Sequence, residues 1–294
     1  MTKIKYIFTF ALLATLIYAC GSSSSSEVDD FDHESQAIID NDSLVKFLST
    51  HYFDTSVDSV KPLVAGQTAL INDTKLKTQA VTENDIEYNL YVYINRVGEP
   101  DPIKSNPTVM DSVFATYKGY SIIRTDSINN FETGVNPIWF TLTGVIRGWT
   151  YGFTNFKGGK NTTTNGPIVY ENGGNGILFI PSGLAYRNSG SGTSIPPNTP
   201  LLFYINLYDI VEGTDTDNDN VASINEDPDG DGDPRNDDTD GDFIPNYGDE
   251  DDDGDGVLTK YEDKNGDGNP ANDFNDPNNP TLADYLNPDI KIKY

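Results

Sequence analysis

The sequence predicts an α+β fold: an antiparallel sheet wrapped on one short helix, with an N-terminal helical segment before it and a loop-rich, acidic tail after it. Three observations carry this. Ile86-Glu87-Tyr88-Asn89-Leu90-Tyr91-Val92-Tyr93-Ile94 alternates with the period of two that a half-buried strand requires, and shorter apolar runs follow at 113–117, 139–142, 177–180 and 201–210. Among these runs, one stretch from 148 to about 156 reads as a helix. Charge is the third observation. The 294 residues carry a formal −27, and residues 215–294 hold 25 Asp and Glu against 5 Lys and Arg, a net of −20 that leaves −7 for the first 214. Acid of that density repels nucleic-acid phosphates and favours hard cations, so no nucleic-acid partner is expected.

Taken in order, the N-terminus sets the expected compartment. Lys3 and Lys5 precede an apolar run over 7–18, too short to span a bilayer as a helix and suited to the h-region of an export signal. Ile17-Tyr18-Ala19-Cys20 resembles a bacterial lipoprotein cleavage box, in which Cys20 becomes the lipidated first residue. The expectation is a signal peptide over 1–19 and a bacterial envelope protein held to the membrane through its N-terminal lipid, in the manner of an outer-membrane lipoprotein. Cys20 is the single cysteine, so no intramolecular disulfide can form. Gly21 and Ser22 to Ser26 open a polar tether over 20–31, too poor in apolar residues to fold. Within a helical and extended segment over 32–83, Ile38, Ile39, Leu44, Val45, Phe47 and Leu48 suggest an amphipathic helix from His33 to about Phe53, interrupted at 40–43 and packed on the sheet domain. His33 and His51 lack a second metal-type ligand at a usable spacing.

The sheet domain is placed at 84–212, and its order of motifs is its most informative feature. Trp139-Phe140-Thr141-Leu142, Val145-Ile146-Arg147-Gly148-Trp149, Ile180-Pro181-Ser182-Gly183-Leu184-Ala185-Tyr186, Ile195-Pro196-Pro197 and Leu202-Phe203-Tyr204-Ile205-Asn206-Leu207 follow one another within about seventy residues. Together they resemble the FKBP family of peptidyl-prolyl isomerases. The resemblance implies a sheet wrapped on a short helix, proline-containing client polypeptides and an aromatic pocket. In that pocket it makes Tyr117 a wall, Trp149 the floor, Val145 and Ile146 the side whose backbone meets the ligand, and Tyr186 a hydroxyl donor to the substrate carbonyl. Ile195 falls in the loop over the proline, Phe203 at the back, and Asp126, followed by Ser127, at the polar rim. Thr125 and Ile138 stand where the family has aromatics, which predicts a shallower and less aromatic pocket. About fourteen extra residues between Phe156 and Ile180 suggest a hairpin tip beside the site.

The tail, 213–294, repeats itself. Asp215, Asp217, Asp219 and Glu226 take positions one, three, five and twelve of an EF-hand-like loop, and Asp251, Asp253, Asp255 and Glu262 do so again. The same 36-residue shift carries Asp227, Asp229 and Asp231 onto Asp263, Asn265 and Asp267, a twofold tandem repeat. Asp238, Asp240, Asp242 and Asp249 form a further loop of the same kind. No amphipathic helices flank these loops, which look more like thrombospondin type 3 repeats than EF-hands. Structural calcium is the expected cofactor, since so few apolar residues cannot order the segment by burial. Two functional classes follow: a lipid-anchored foldase for exported chains, or a surface adhesion protein in which the sheet domain is only a scaffold.

Overall fold

A computed structural model describes residues 29–124 and 127–293. Cys20, the export signal, the serine run and Asp126 lie outside the described residues. From His33 on, the chain forms one compact unit. Its elements are α1 (His33–Thr50), β1 (His51–Asp54), β2 (Ser59–Pro62), β3 (Leu76–Glu83), β4 (Ile86–Arg96), β5 (Ser112–Arg124), β6 (Ser127–Thr141), α2 (Arg147–Gly152), β7 (Lys160–Asn161), β8 (Tyr170–Glu171), β9 (Gly174–Ile180) and β10 (Leu201–Val211). Six strands form one antiparallel sheet in the order β3-β4-β9-β10-β5-β6.

Alternation decides which side chains meet which helix. Leu90, Val92, Leu178, Ile180, Phe203 and Ile205 face α2, where they bury Trp149 and Phe153. Their sequence neighbours Tyr91, Tyr93, Ile177, Phe179 and Leu202 face the other way and bury Leu44, Phe47 and Leu48 of α1. With both faces covered, β9 reads as an unbroken apolar run at its end. The approach of α2 is set by two glycines one helical turn apart. A Cβ on Gly148 would lie 2.3 Å from Ile180 Cγ2, and one on Gly152 2.6 Å from Leu178 Cδ1, so the helix backbone rests on β9 itself.

Four sequence expectations need correction here. α1 runs unbroken through 40–43, because Asp40 lies on the buried face, 1% exposed, and accepts hydrogen bonds from the Ser182 N–H at 2.6 Å and Gln36 Nε2 at 2.8 Å. Ile38 and Ile39, counted in the apolar stripe, are exposed. The sheet also begins before residue 84: β3 pairs with β4 from Leu76↔Tyr93 to Glu83↔Ile86. Asn84 and Asp85, both at positive φ, make the two-residue turn that a twisted hairpin favours. Finally, the strand expected at 139–142 is the end of fifteen-residue β6, an edge strand whose exposed Asn, Glu and Thr hide it from a hydrophobic pattern. The extra residues after Phe156 do form a small hairpin, β7–β8, with Tyr170 packed on Phe114 and Tyr208.

Beyond Val211, the described residues contain neither strand nor α-helix, only single 3-10 turns. Their duplication is written in the backbone. Asn218 and Gly254 (φ 66° and 65°), and Gly230 and Gly266 (75° and 73°), adopt the same left-handed conformation 36 residues apart. Arg235 ties this tail to the sheet domain, donating to Glu83 at 3.1 and 3.2 Å and to the Tyr151 hydroxyl at 3.0 Å.

Candidate active site

α2 opens beneath a cavity of roughly 610 Å³. Ile146 is extended, and its carbonyl accepts the Trp149 N–H at 2.8 Å, so the chain turns into the helix just where Val145 and Ile146 line the cavity. Buried Thr150 fixes the helix from behind by donating to the Leu142 carbonyl at 2.6 Å. Trp149, 4% exposed, is the floor. The rings of Tyr117, Phe140 and Phe203 meet its indole edge-on at 4.8, 5.1 and 5.1 Å, the arrangement that ring quadrupoles favour. Phe131 closes on Phe203 at 5.6 Å.

The polar groups sit on the rim. The Tyr117 hydroxyl is held by the Glu132 carboxylate; burial first, and then that carboxylate, push its pKa well above the usual phenol value. Tyr186 is raised too, by burial and then by the Glu132 charge, so both phenols stay protonated donors throughout the neutral range. Among the described residues, no side-chain hydrogen bond engages the Tyr186 hydroxyl. Its loop is positioned by Asp40 of α1, which receives the Ser182 N–H, and by Gly183, which packs under the Tyr88 ring. Asp40→Ala should therefore cost about 1–3 kcal/mol by leaving a buried N–H without an acceptor. Asp40→Asn, which keeps an acceptor, should cost less. Urea denaturation of both variants checks this, and equal midpoints would remove the anchoring role.

Six residues expected at the site do converge: Tyr117, Val145, Ile146, Trp149, Tyr186 and Phe203 all line this cavity. Ile195 does not line it. It is 5% exposed in the adjoining core. Glu132, which the sequence reading did not single out, stands at the rim: β6 passes Tyr117 and Gly119 of β5 with Gly134 and Glu132, while Asp126 lies outside the described residues. Phe140 also lines the cavity, while Ile138 is exposed on β6 opposite Ala115 and Thr125 lies outside the described residues.

Comparison with known proteins agrees with this geometry. Residues 104–208 match the model of the FKBP-type peptidyl-prolyl cis-trans isomerase family. The FKBP-type peptidyl-prolyl cis-trans isomerase FkpA of Escherichia coli (strain K12) is 36% identical over 104 residues, 35% of this chain and 33% of that protein. The peptidyl-prolyl cis-trans isomerase Mip of Coxiella burnetii is 30% identical over 105 residues, 36% and 39% of the two chains. The chain thus spans about a third of the length of these relatives. The crystal structure of FkpA from Escherichia coli aligns with a TM-score of 0.35 and 28% identity over 49% of this chain and 55% of that one. An FKBP-type domain of α+β class accordingly occupies the matched stretch.

The tail brings acids together as its spacing suggested. Asp215, Asp217 and Asp219 converge, as do Asp238, Asp240 and Asp242, and Asp251, Asp253 and Asp255, each set with carboxylate oxygens within 4.8 Å of one another. Asp227 and Asp229 are joined by Asp237 rather than by Asp231, which instead caps the Asp233 N–H and accepts from Asn236. Asp263 caps Gly266 and Gly268, and the Asn265 side chain caps Asp267. Burial, followed by neighbouring acids, raises Glu262 to about 9. Burial, with Asp242, Asp240 and Asp251 adding to it, also raises Asp249. Spacing alone missed Asp237 and Asp252, because neither keeps the loop period. Carboxylates packed this closely, with oxygens left unpaired, form a donor set suited to a hard divalent cation.

Proposed function

We propose that this chain is a peptidyl-prolyl cis-trans isomerase acting on proline-containing polypeptides of a bacterial envelope, lipid-anchored through Cys20, with a tail held by calcium. The observation that carries the reading is the cavity: an aromatic floor and walls, with one hydroxyl donor, Tyr186, left for a ligand. Rotation about an X-Pro bond faces a barrier of about 18–20 kcal/mol from amide resonance, so a catalyst must favour the twisted amide over the planar one. No nucleophile is needed. The bowl of Trp149, Tyr117, Phe140 and Phe203 accepts the proline ring and strips water from the preceding carbonyl, and Tyr186 donates to the oxygen as it turns. Glu132 keeps the Tyr117 hydroxyl engaged at the rim.

A protease-coupled prolyl-peptide assay on the soluble fragment tests the activity, with a macrolide pocket ligand as inhibitor. Turnover abolished by the ligand is expected; an intact fold without turnover would leave the domain a scaffold. Tyr186→Phe should lower kcat/KM by about tenfold or less, since one such hydrogen bond is worth about 1 kcal/mol net. Unchanged kinetics would remove Tyr186 from its role.

The anchor rests on the cleavage box alone. Cys20→Ala should abolish incorporation of labelled fatty acid and move the protein from the membrane to the soluble fraction. Undiminished membrane recovery would place the anchor elsewhere. For the tail, the Asp215–Glu226 and Asp251–Glu262 loops and the three acid clusters between and after them would hold calcium, which supplies only positive charge and cross-linking there.

A further inference from the structure

The first loop of the tail is not closed by its own residues. A carboxylate oxygen of Asp252, in the second copy, lies within 4.8 Å of oxygens from both Asp219 and Glu226 in the first. Asp219 and Glu226 are 0% exposed and Asp252 1%. Neither oxygen of Glu226 has a hydrogen-bond partner, and Asp219 Oδ2 and Asp252 Oδ1 likewise have none. The second oxygen of Asp252 is held by the Thr259 hydroxyl at 2.7 Å, which fixes the side chain in place. Among the described residues, no Lys or Arg pairs with any of the three.

Three buried carboxylates facing one another without a counter-charge cost several kcal/mol each, and hydrogen bonds inside the protein do not offset that here. A cation does. Asp219 also belongs to the cluster with Asp215 and Asp217, so the loop and the newcomer share one centre. Asp251 and Asp253 join Asp255 in their own loop, while Asp252 between them turns to the first. We propose that Asp252 is a ligand to the cation of the first loop, so that a single hard divalent ion of calcium's size binds the two copies together. This rests on the calcium reading of the tail and adds to it a connection that no within-loop spacing rule contains. Five carboxylates and a water or carbonyl would satisfy the six to eight oxygens such an ion takes.

The test is an ion count on the full chain by calorimetric titration with calcium and by equilibrium dialysis. Asp252→Asn keeps the Thr259 contact and should weaken one site at least tenfold, as should Glu226→Gln. The double variant should lose that same one ion, because both residues serve one centre; separate centres would lose two. Glu250→Gln, a neighbouring acid that is exposed and paired with Lys260 at 3.6 Å, should bind as the parent does. Wild-type uptake that Asp252→Asn leaves unchanged, or a double variant that loses two ions, overturns the shared site while leaving calcium in the tail. A parent chain that takes up no calcium overturns both. Proteolysis of each variant in saturating calcium, where the sheet domain and the Asp251–Asp255 loop should resist as in the parent, separates ligand loss from misfolding.

Discussion

Trp149→Ala is expected to destabilise the sheet domain by roughly 3–5 kcal/mol, the range for emptying a large aromatic site in a core. The indole is 4% exposed and meets four rings, those of Tyr117, Phe140, Phe153 and Phe203. Gly148 and Gly152 hold the α2 backbone against Ile180 and Leu178, so the helix cannot slide inward to fill the void. Against a typical total of about 5–15 kcal/mol, that loss brings the domain near its threshold. Far-UV dichroism in urea should show the midpoint falling with little change in slope. Activity should fall by more than the unfolded fraction explains, because the same ring is the pocket floor. Trp149→Phe, which retains a ring, should recover most of the stability and only part of the turnover. A Trp149→Ala protein with the parent's midpoint and turnover would sink both roles.

How much of this was legible in the sequence depends on whether one element carried its own signal. β4, β9 and β10 alternate or run apolar because both faces are buried, and α2 is marked by glycines that let it touch β9. The six converging pocket residues lie on or beside these elements, so order and spacing located them. β6 is different. As an exposed edge strand, it owes its place to hydrogen bonds with β5, and the pairing of Gly119 with Glu132, set by hairpin length, brings Glu132 to the rim beside Tyr117. Residue types cannot reveal that length. β3 was missed for a related reason: it is a mostly exposed edge, and only Asn84-Asp85 announced the turn. Asp40 looked like an interruption in a helix because its partner, the Ser182 N–H, lies far along the chain. Asp237 and Asp252 were hidden in the same way, since their loops close through folding rather than through period.

Withdrawing calcium is expected to unfold residues 215–293 while leaving the sheet domain intact. The described tail has a single small apolar cluster, Val221, Ala283 and Tyr285 with Ala271 and Leu286 against it, which cannot offset the entropy of ordering so long a segment. What holds the loops otherwise is a set of carboxylates capping their own backbone, such as Asp215 on Asn218 and Asn220, and Asp251 on Gly256. Those carboxylates repel one another across the same loops, and the net of −20 over this stretch adds longer-range repulsion at low salt. Each independent ion adds about 2.7 kcal/mol at a hundredfold excess over its Kd, so a few sites outweigh the tail's deficit. Magnesium should protect less, because it gives up water reluctantly for a crowded site of many oxygens. Limited proteolysis followed by mass spectrometry reads this directly. In chelator the cuts should fall after 215 and release a stable sheet domain; in calcium the tail should survive. Release of Arg235 should accompany the change, freeing Glu83 and Tyr151, and show as faster amide exchange in β3 and α2. Identical digestion with and without calcium, together with no heat of binding, would mean that the acidic repeats order themselves by some means other than the ion.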